Sequence, residues 1–588
     1  MASFFILLNI MSNSKIHFEI SFTEPQAHYV ELNMFIDGFD QDFLDLKMPV
    51  WTPGSYLIRE FSKNLEQITA QDNNGNNIAI EKKTKNAWRI NSKGASLKIT
   101  YRIYCFEKSV RTNFVDAQHA FISPAGTFFY VDGYLDHPST VEVKLPKIWT
   151  KISTGLARLE DKKNIFFAEN FDILFDSPLE IGNQDIWHFN AAGIPHEFAM
   201  VGSASYDKAR LSNDITKIVE VETAIWGSNP NDRYVFITHN YQSAHGGLEH
   251  LNSTVLAASR SSYSSNMGYN NFLSLVAHEY FHLWNVKRLR PENLGPFNYE
   301  EENYTSLLWM FEGFTAYYDN LITRRCGFRD EQEYLNELVS EFNLVLNRAG
   351  HKIQSVGLSS FDTWIKQYRP DENSQNVSIS YYNKGAMLAT MIDISIIAKT
   401  NGNKRLDDVL RAAYNQFYII ENRGITEKEF QTLAEEVSGV SLDEIFDAVY
   451  TTEEIDYNAY FNLVGYQFTD LNINSKTTSL GIKVSHQDGR TIIKNIDRNS
   501  AAWIDGLNVD DEIIAVNGNR LDPQGRELDQ AITISDIGTV LNILVSRDGL
   551  IYDIPVKLKA SDKVSYVIER NPNSTEAQRA LGNIWLSL

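Results

Sequence analysis

"SLVAHEYFHLWNVKRLRP", residues 274–291, sets two histidines four apart, with a glutamate directly after the first, in a mostly apolar stretch of helical period. Residues four apart on a helix project the same way, so His278 and His282 can hold one tetrahedral metal ion together. Glu279 falls at the edge of that face, where it reaches a water on the metal without ligating the metal itself. With 13 histidines in 588 residues, this H-E-x-x-H pattern arises by chance in roughly one or two per cent of chains. Two histidines on a core or surface helix are the plainer alternative, and a third ligand would separate the two readings.

Thirty residues after His282, "LLWMFEGFTAYYDN" (307–320) places Glu312 inside an apolar, aromatic helix. A buried carboxylate is costly unless it is ion-paired or bound to a metal. Asp319 lies two turns further along the same face, and could accept a hydrogen bond from the second ring nitrogen of a ligand histidine. A solvated carboxylate explains Asp319 equally well. In "HGGLEH" (245–250) Glu249 follows Gly246 and Gly247, which let a backbone edge come close to a ligand. Read alone it is an ordinary loop carboxylate, just as Tyr382 in "YYNKGAML" (381–388) is an ordinary half-buried tyrosine ahead of a helix.

Outward from these motifs, the period of the sequence changes twice. From Ile16 to about Ser203 it alternates in twos ("IHFEISF", "YVELNMFI", "SLKITYRIY", "TVEVKLP"), which reads as antiparallel β structure. "PVWTPGSY" (49–56) is a turn cluster within it. From about 207 to 455 helical period dominates. Asn270 or Asn271 is expected to cap the histidine helix, and a helix over Thr305–Arg325 is expected to stop at Gly327. Further helices are expected near 384–399, 404–418, 426–437 and 441–449. Past 465 short strands and turns return. The expected division is an N-terminal β domain (11–205), an α+β domain with a helical extension (206–460), a small β-rich domain (465–560) and a tail (561–588).

A net charge of −21 disfavours nucleic acid and anionic membrane surfaces as partners. The short basic cluster Lys287, Arg288 and Arg290 does not reverse that. Two cysteines, Cys105 and Cys326, allow neither a disulfide framework nor a thiolate metal cluster. No apolar run reaches the roughly 18–20 residues of a membrane span. "MASFFILLNIM" lacks a basic start and a clear cleavage site, so it reads as sequence upstream of a start at Met11 rather than as a signal peptide. That favours the cytoplasm and leaves a periplasmic or secreted destination open.

H-E-x-x-H followed by "EGFTAY" resembles the gluzincin peptidases, and "HEYFHLWNVKRLRP" with "PVWTPGSY" upstream resembles the M61 family of glycyl aminopeptidases over nearly the whole chain. The resemblance implies a thermolysin-like catalytic domain with one Zn²⁺ per chain on His278, His282 and Glu312, and Glu279 as general base. It also implies that Glu249, with Gly246 and Gly247, binds the free α-amine of a peptide substrate, and that Tyr382 supports the oxyanion. The implied activity is removal of N-terminal residues, small ones such as Gly or Ala. Compared with the larger M1-type enzymes the His282–Glu312 spacing is longer, and Leu248 and His250 replace Met and Asn of the amine motif. "TSLGIKV" (478–484) and "SAAWIDGLNVDDEIIAVNGNRL" (500–521) resemble a PDZ domain. Leu480, Gly481 and Ile482 would form its carboxylate loop, making a peptide C-terminus a second expected partner; a PDZ fold that only packs on the catalytic domain is the alternative. An endopeptidase on the same scaffold, or a PDZ peptide-binding module with a vestigial metal site, are the rival functions.

Overall fold

The two-residue alternation at the start of the chain becomes sheet in the computed structural model, which describes residues 15–159 and 162–587. The apolar run at the N-terminus lies outside the described residues. Strand β1 (Lys15–Ser21) turns one row of side chains, Ile16, Phe18 and Ile20, inward, and β2 (Tyr29–Asp37) does the same with Val30, Leu32, Met34 and Ile36. The two pair antiparallel with Phe18 opposite Met34, and β2 pairs antiparallel with β3 (Leu97–Tyr104), Met34 opposite Ile99. On its other side β1 pairs with β4 (Ser139–Lys144) in parallel, an exception to the antiparallel pattern expected of this domain. These strands form the centre of an eight-stranded sheet whose inward rows pack on Phe128, Phe129 and Phe171.

A second sheet carries the histidine helix. It consists of β5 (Asp185–Ala191), β6 (Ile194–Val201), β7 (Tyr234–Tyr241), β8 (His245–Glu249) and β9 (Ser253–Ser259), in the order β5-β6-β7-β9-β8. Strands β6, β7 and β9 are parallel neighbours, with Phe198 opposite Phe236 and Ile237 opposite Val255. Strand β8 closes the edge antiparallel to β9, Gly247 opposite Leu256. Helix α1 (Lys208–Trp226) is the crossover between β6 and β7; Asp207 caps its start and Gly227, at φ +93°, ends it. Helix α2 (Asn266–Phe281) follows β9 and carries the histidine motif. Its cap is Ser265, whose Oγ accepts from the Gly268 N–H at 3.1 Å, about one and a half turns before the expected Asn270 or Asn271. Several capping residues crowd "SSYSSNMGYNN", and sequence alone does not choose among them.

The chain forms two compact units, one of residues 1–304 and 413–426, the other of 305–412 and 427–588. All the elements above belong to the first. In the second, the helix expected over 305–325 is two: α3 (Leu308–Phe311) and α4 (Gly313–Arg325), with Glu312 at the joint. Helix α5 (Glu331–Leu346) opens with a capping box, Asp330 and Glu333. Helix α6 (Tyr381–Lys399) crosses α4 closely: a Cβ on Gly313 would lie 2.5 Å from the Gly385 α-carbon. Only glycines allow backbones that near.

The β-rich end is an insertion. Strand β10 (Tyr466–Asp470) pairs antiparallel with β16 (Tyr566–Arg570), Tyr466 opposite Arg570. Between them lies a sheet of β11 (Ile482–Gln487), β12 (Arg490–Ile496), β13 (Glu512–Val516), β14 (Val540–Arg547) and β15 (Leu550–Lys557), with α7 (Arg526–Thr533) and its own apolar core. It meets the helical part of its unit through the segment after β12: Asn376 donates to the Ile496 carbonyl at 2.8 Å and accepts from the Arg498 N–H at 2.8 Å. The final helix α8 (Glu576–Trp585) returns to the helices, where Trp585 is fully buried and donates to the Tyr317 hydroxyl at 3.1 Å. Among the described residues no helix is long and apolar enough to cross a membrane.

Candidate active site

The first unit brings together His278, His282, Glu279 and Glu249. One turn of α2 separates the two imidazoles, whose ring centroids lie 4.8 Å apart at 82°. His282 is buried at the C-terminal end of the helix, and its Nδ1 lies 2.8 Å from the Asn285 carbonyl. A carbonyl can only accept, so Nδ1 carries the proton and Nε2 keeps its lone pair for a metal. That backbone carbonyl fills, for His282, the role expected of Asp319. The basic residues downstream are structural. Lys287 and His250 converge on buried Asp176, at 2.7 and 3.1 Å, and Arg288 caps the Leu283 carbonyl at 2.7 Å. Burial works to raise the Asp176 pKa, but Lys287 and His250 outweigh it and hold the carboxyl below its ordinary value.

Glu279 is 4 % exposed and lies against the backbone of Gly247: a Cβ there would fall 2.4 Å from its carboxyl carbon and Oε1. The second glycine of "HGGLEH" therefore makes room for the carboxylate of the H-E-x-x-H motif. Arg111 steadies the same point, its Nη2 donating to the Gly247 carbonyl at 3.1 Å. Burial pushes the Glu279 pKa up to about 7; His278, His282 and Arg111 oppose the rise and Glu249 adds to it. Oε2 of Glu279 is buried with no hydrogen-bond partner among the described residues.

Glu249 ends β8, 4 % exposed. Alternation along the strand puts His245, Gly247 and Glu249 on one face, the face that meets Glu279. Gly54 of the "PVWTPGSY" turn, at φ +81°, packs directly on it, since a Cβ there would lie 2.5 Å from Glu249 Oε1. That oxygen too is buried without a hydrogen-bond partner among the described residues. Two carboxylates that each keep a bare buried oxygen are expensive in a folded chain, and such groups mark places where a ligand supplies the missing partner.

The second unit brings Glu312 and Tyr382 together. Glu312 is 2 % exposed at the α3–α4 joint, where its N–H donates to the Leu308 carbonyl at 2.8 Å. The Gly313–Gly385 contact sets α6 beside that joint, and burial first, then the Glu312 charge, push the Tyr382 pKa well above its ordinary value. Tyr382 is therefore a neutral hydroxyl able to donate a hydrogen bond. Its ring stacks on Tyr381, centroids 4.6 Å apart. The lysine of the same motif, Lys384, is buried and bound to Glu454 at 2.5 Å and the Tyr457 hydroxyl at 2.8 Å, a structural role. Asp319 is half-buried on α4, within electrostatic reach of Glu341.

In the inserted domain Leu480 is buried, and Gly481 takes φ +72°, where a Cβ would strike Ser500 at 2.2 Å. The Gly481 N–H donates to Ser479 Oγ at 2.9 Å, while β11, which begins at Ile482, is an edge strand of its sheet. Arg111, Gly54 and the Gly247–Glu279 contact carried no signal in the sequence as parts of the site, because each acts through a residue more than thirty positions away.

Two helix-borne imidazoles, a buried carboxylate between them in sequence and an adjacent edge strand have the chemistry that a metallopeptidase site needs. Comparison with known families agrees in three places: residues 17–183 match the M61 peptidase N-terminal domain, 271–388 the M61 glycyl aminopeptidase, and 470–546 the PDZ domain. The chain thus carries two domains that match M61 peptidases and a C-terminal PDZ domain, and it is a metallo-aminopeptidase. A crystal structure of an aminopeptidase N family protein from Idiomarina loihiensis is similar at 28% identity and TM-score 0.90, covering 97% of this chain and 100% of that one. An M1 zinc metallopeptidase from Deinococcus radiodurans aligns at 11% identity and TM-score 0.47 over 76% of this chain and 96% of that one. No curated relative matches the chain.

Proposed function

We propose that the enzyme uses one zinc ion per chain, held by His278, His282 and Glu312, to release small N-terminal residues from peptides. The donor set suits Zn²⁺: two imidazoles one helical turn apart, one with its tautomer set by Asn285, and a carboxylate on a buried helix joint. When bound, zinc supplies Lewis-acid polarisation of the scissile carbonyl and of a water. Glu279 takes the proton of that water on its bare oxygen and passes it to the leaving amine. The Tyr382 hydroxyl donates a hydrogen bond to the oxyanion as it forms. Asp319 is a proposed hydrogen-bond acceptor for a ligand histidine.

The observation that carries the aminopeptidase reading is Glu249, a buried carboxylate with an unpartnered oxygen on the strand face that holds Glu279. A protonated α-amine is its natural partner. Beside it lies a cavity of about 80 Å³ walled by Trp51, Tyr56, Phe297 and Tyr299, smaller than the roughly 150 Å³ that admits a benzene ring. That supports a preference for Gly or Ala at the N-terminus. The test is kcat/KM for paired free and N-acetylated peptides in wild type and Glu249→Ala. Acetylation leaves the carboxylate buried and unpaired, a loss of about 3 kcal/mol, roughly a hundredfold. Glu249→Ala should keep its metal and lose that discrimination. Equal cleavage of acetylated and free peptides by wild type would favour an endopeptidase. At the PDZ domain, the edge of β11 beside Leu480, Gly481 and Ile482 is proposed to receive a peptide C-terminus.

A further inference from the structure

The order of groups along β8 gives the substrate a direction. Glu249 stands at the end of the strand, Glu279 lies on Gly247 two residues back, and Gly246 and His245 open into a cleft of about 550 Å³ in the same unit. A peptide with its amine at Glu249 and its scissile bond at Glu279 therefore continues toward His245, antiparallel to β8. The free edge of the strand can pair with it, because the other edge is taken by β9.

The cleft at that end has an unusual charge. Lys108, Arg111 and Arg260 line it and no Asp or Glu does, in a chain with 75 acidic residues and a net charge of −21. Lys108 reaches over the Phe114 and Tyr241 rings, at 5.7 and 5.9 Å from their centroids. Among the described residues, neither Lys108 nor Arg260 closes an ion pair with a carboxylate. Arg111 is held at the near end by the Gly247 carbonyl. Lys108 and Arg260, cations without an ion pair among the described residues and gathered in a concave surface of an acidic protein, raise the local concentration of anions.

The spacing matches a short peptide. Glu249 and His245 are about 13 Å apart along the strand, at roughly 3.3 Å per residue. An extended tripeptide spans about 10–11 Å, and the lysine and arginine side chains reach the remainder. We propose that Lys108, Arg111 and Arg260 form a subsite for the C-terminal carboxylate of di- and tripeptides. The enzyme is then a short-peptide aminopeptidase that reads both ends of its substrate. This rests on Glu249 as the amine site.

The test uses the full-length zinc enzyme and four peptides: Ala-Ala-Ala, Ala-Ala-Ala-amide, Ala-Glu-Ala-amide and N-acetyl-Ala-Ala-Ala. Wild type should cleave the free acid about tenfold better than the amide in kcat/KM, since several partly solvated ion pairs act together. The advantage should shrink between low salt and 0.5 M salt as screening sets in. The exposed pair Lys108→Glu and Arg260→Glu should abolish the acid preference and leave amide turnover within about twofold. Arg111 is left intact because it supports the seat of Glu279. Equal rates on acid and amide in wild type, or a variant that slows both alike, overturn the subsite. If Ala-Glu-Ala-amide does as well as Ala-Ala-Ala, the cations read an acidic side chain and the assignment to the terminus falls. Cleavage of the acetylated peptide at the free-amine rate removes the amine site itself, a separate failure that takes the subsite with it.

Discussion

Replacing Gly247 by Ala places one methyl group where Glu279 now sits. The added Cβ would lie 2.4 Å from the carboxyl carbon and Oε1 and 2.6 Å from Cγ. Ordinary contact begins about 1 Å further out, so the carboxylate must retreat by roughly that much. Gly247 is not at a positive φ, so alanine adds no backbone strain and the strand can persist. A displacement of about 1 Å at a reacting group costs on the order of 10²-fold. We expect kcat of Gly247→Ala on Ala-Ala-Ala to fall about a hundredfold, with zinc content unchanged and melting temperature within a few degrees of wild type. Steady-state kinetics beside metal analysis measures this directly. A kcat within twofold of wild type would show that Glu279 acts from somewhere other than its seat on Gly247.

Tyr382→Phe should lower kcat by about 10²–10³ with little change in KM, since its bond to the oxyanion forms mainly in the transition state; a KM rise at constant kcat would make Tyr382 a substrate-binding residue. Joining β10 to β16 through a short Gly-rich turn in place of residues 472–564 should remove the PDZ domain and leave metal and turnover in place, because Asp470 and Tyr566 are already opposite each other. Ending the chain at 465 should instead lower stability by about 3–5 kcal/mol or more, since it strips fully buried Trp585 from the helices; thermal melts of the two deletions should differ sharply, and equal stability would refute the structural role given to α8.

Local periodicity made the histidine helix, the outer β strands and most later helices legible, because each pattern is complete within a dozen residues. Glu312 stood out as a lone carboxylate in an apolar run, and the break of the helix there did not, since "LLWMFEGF" has no helix breaker before Gly313. The central strands β7 and β9, which fall in the stretch read as helical, were hidden for a physical reason. They are parallel and covered on both faces, so "YVFITHNY" shows no alternation to distinguish it from a buried helix segment. Glu249 was legible only beside its glycines, whereas the reason for Gly54 appears only where its α-carbon meets Glu249. Arg111 looks like any surface arginine until its hydrogen bond to a carbonyl 136 residues later is seen.

The proposed role of Glu279, base of a zinc site that it does not ligate, is tested by zinc per chain and kcat on the same preparation of Glu279→Gln. We expect about one zinc per chain, as in wild type, with kcat reduced by about 10²–10⁴, while His278→Ala loses both metal and turnover. Wild-type activity in Glu279→Gln, or loss of its zinc, would contradict it.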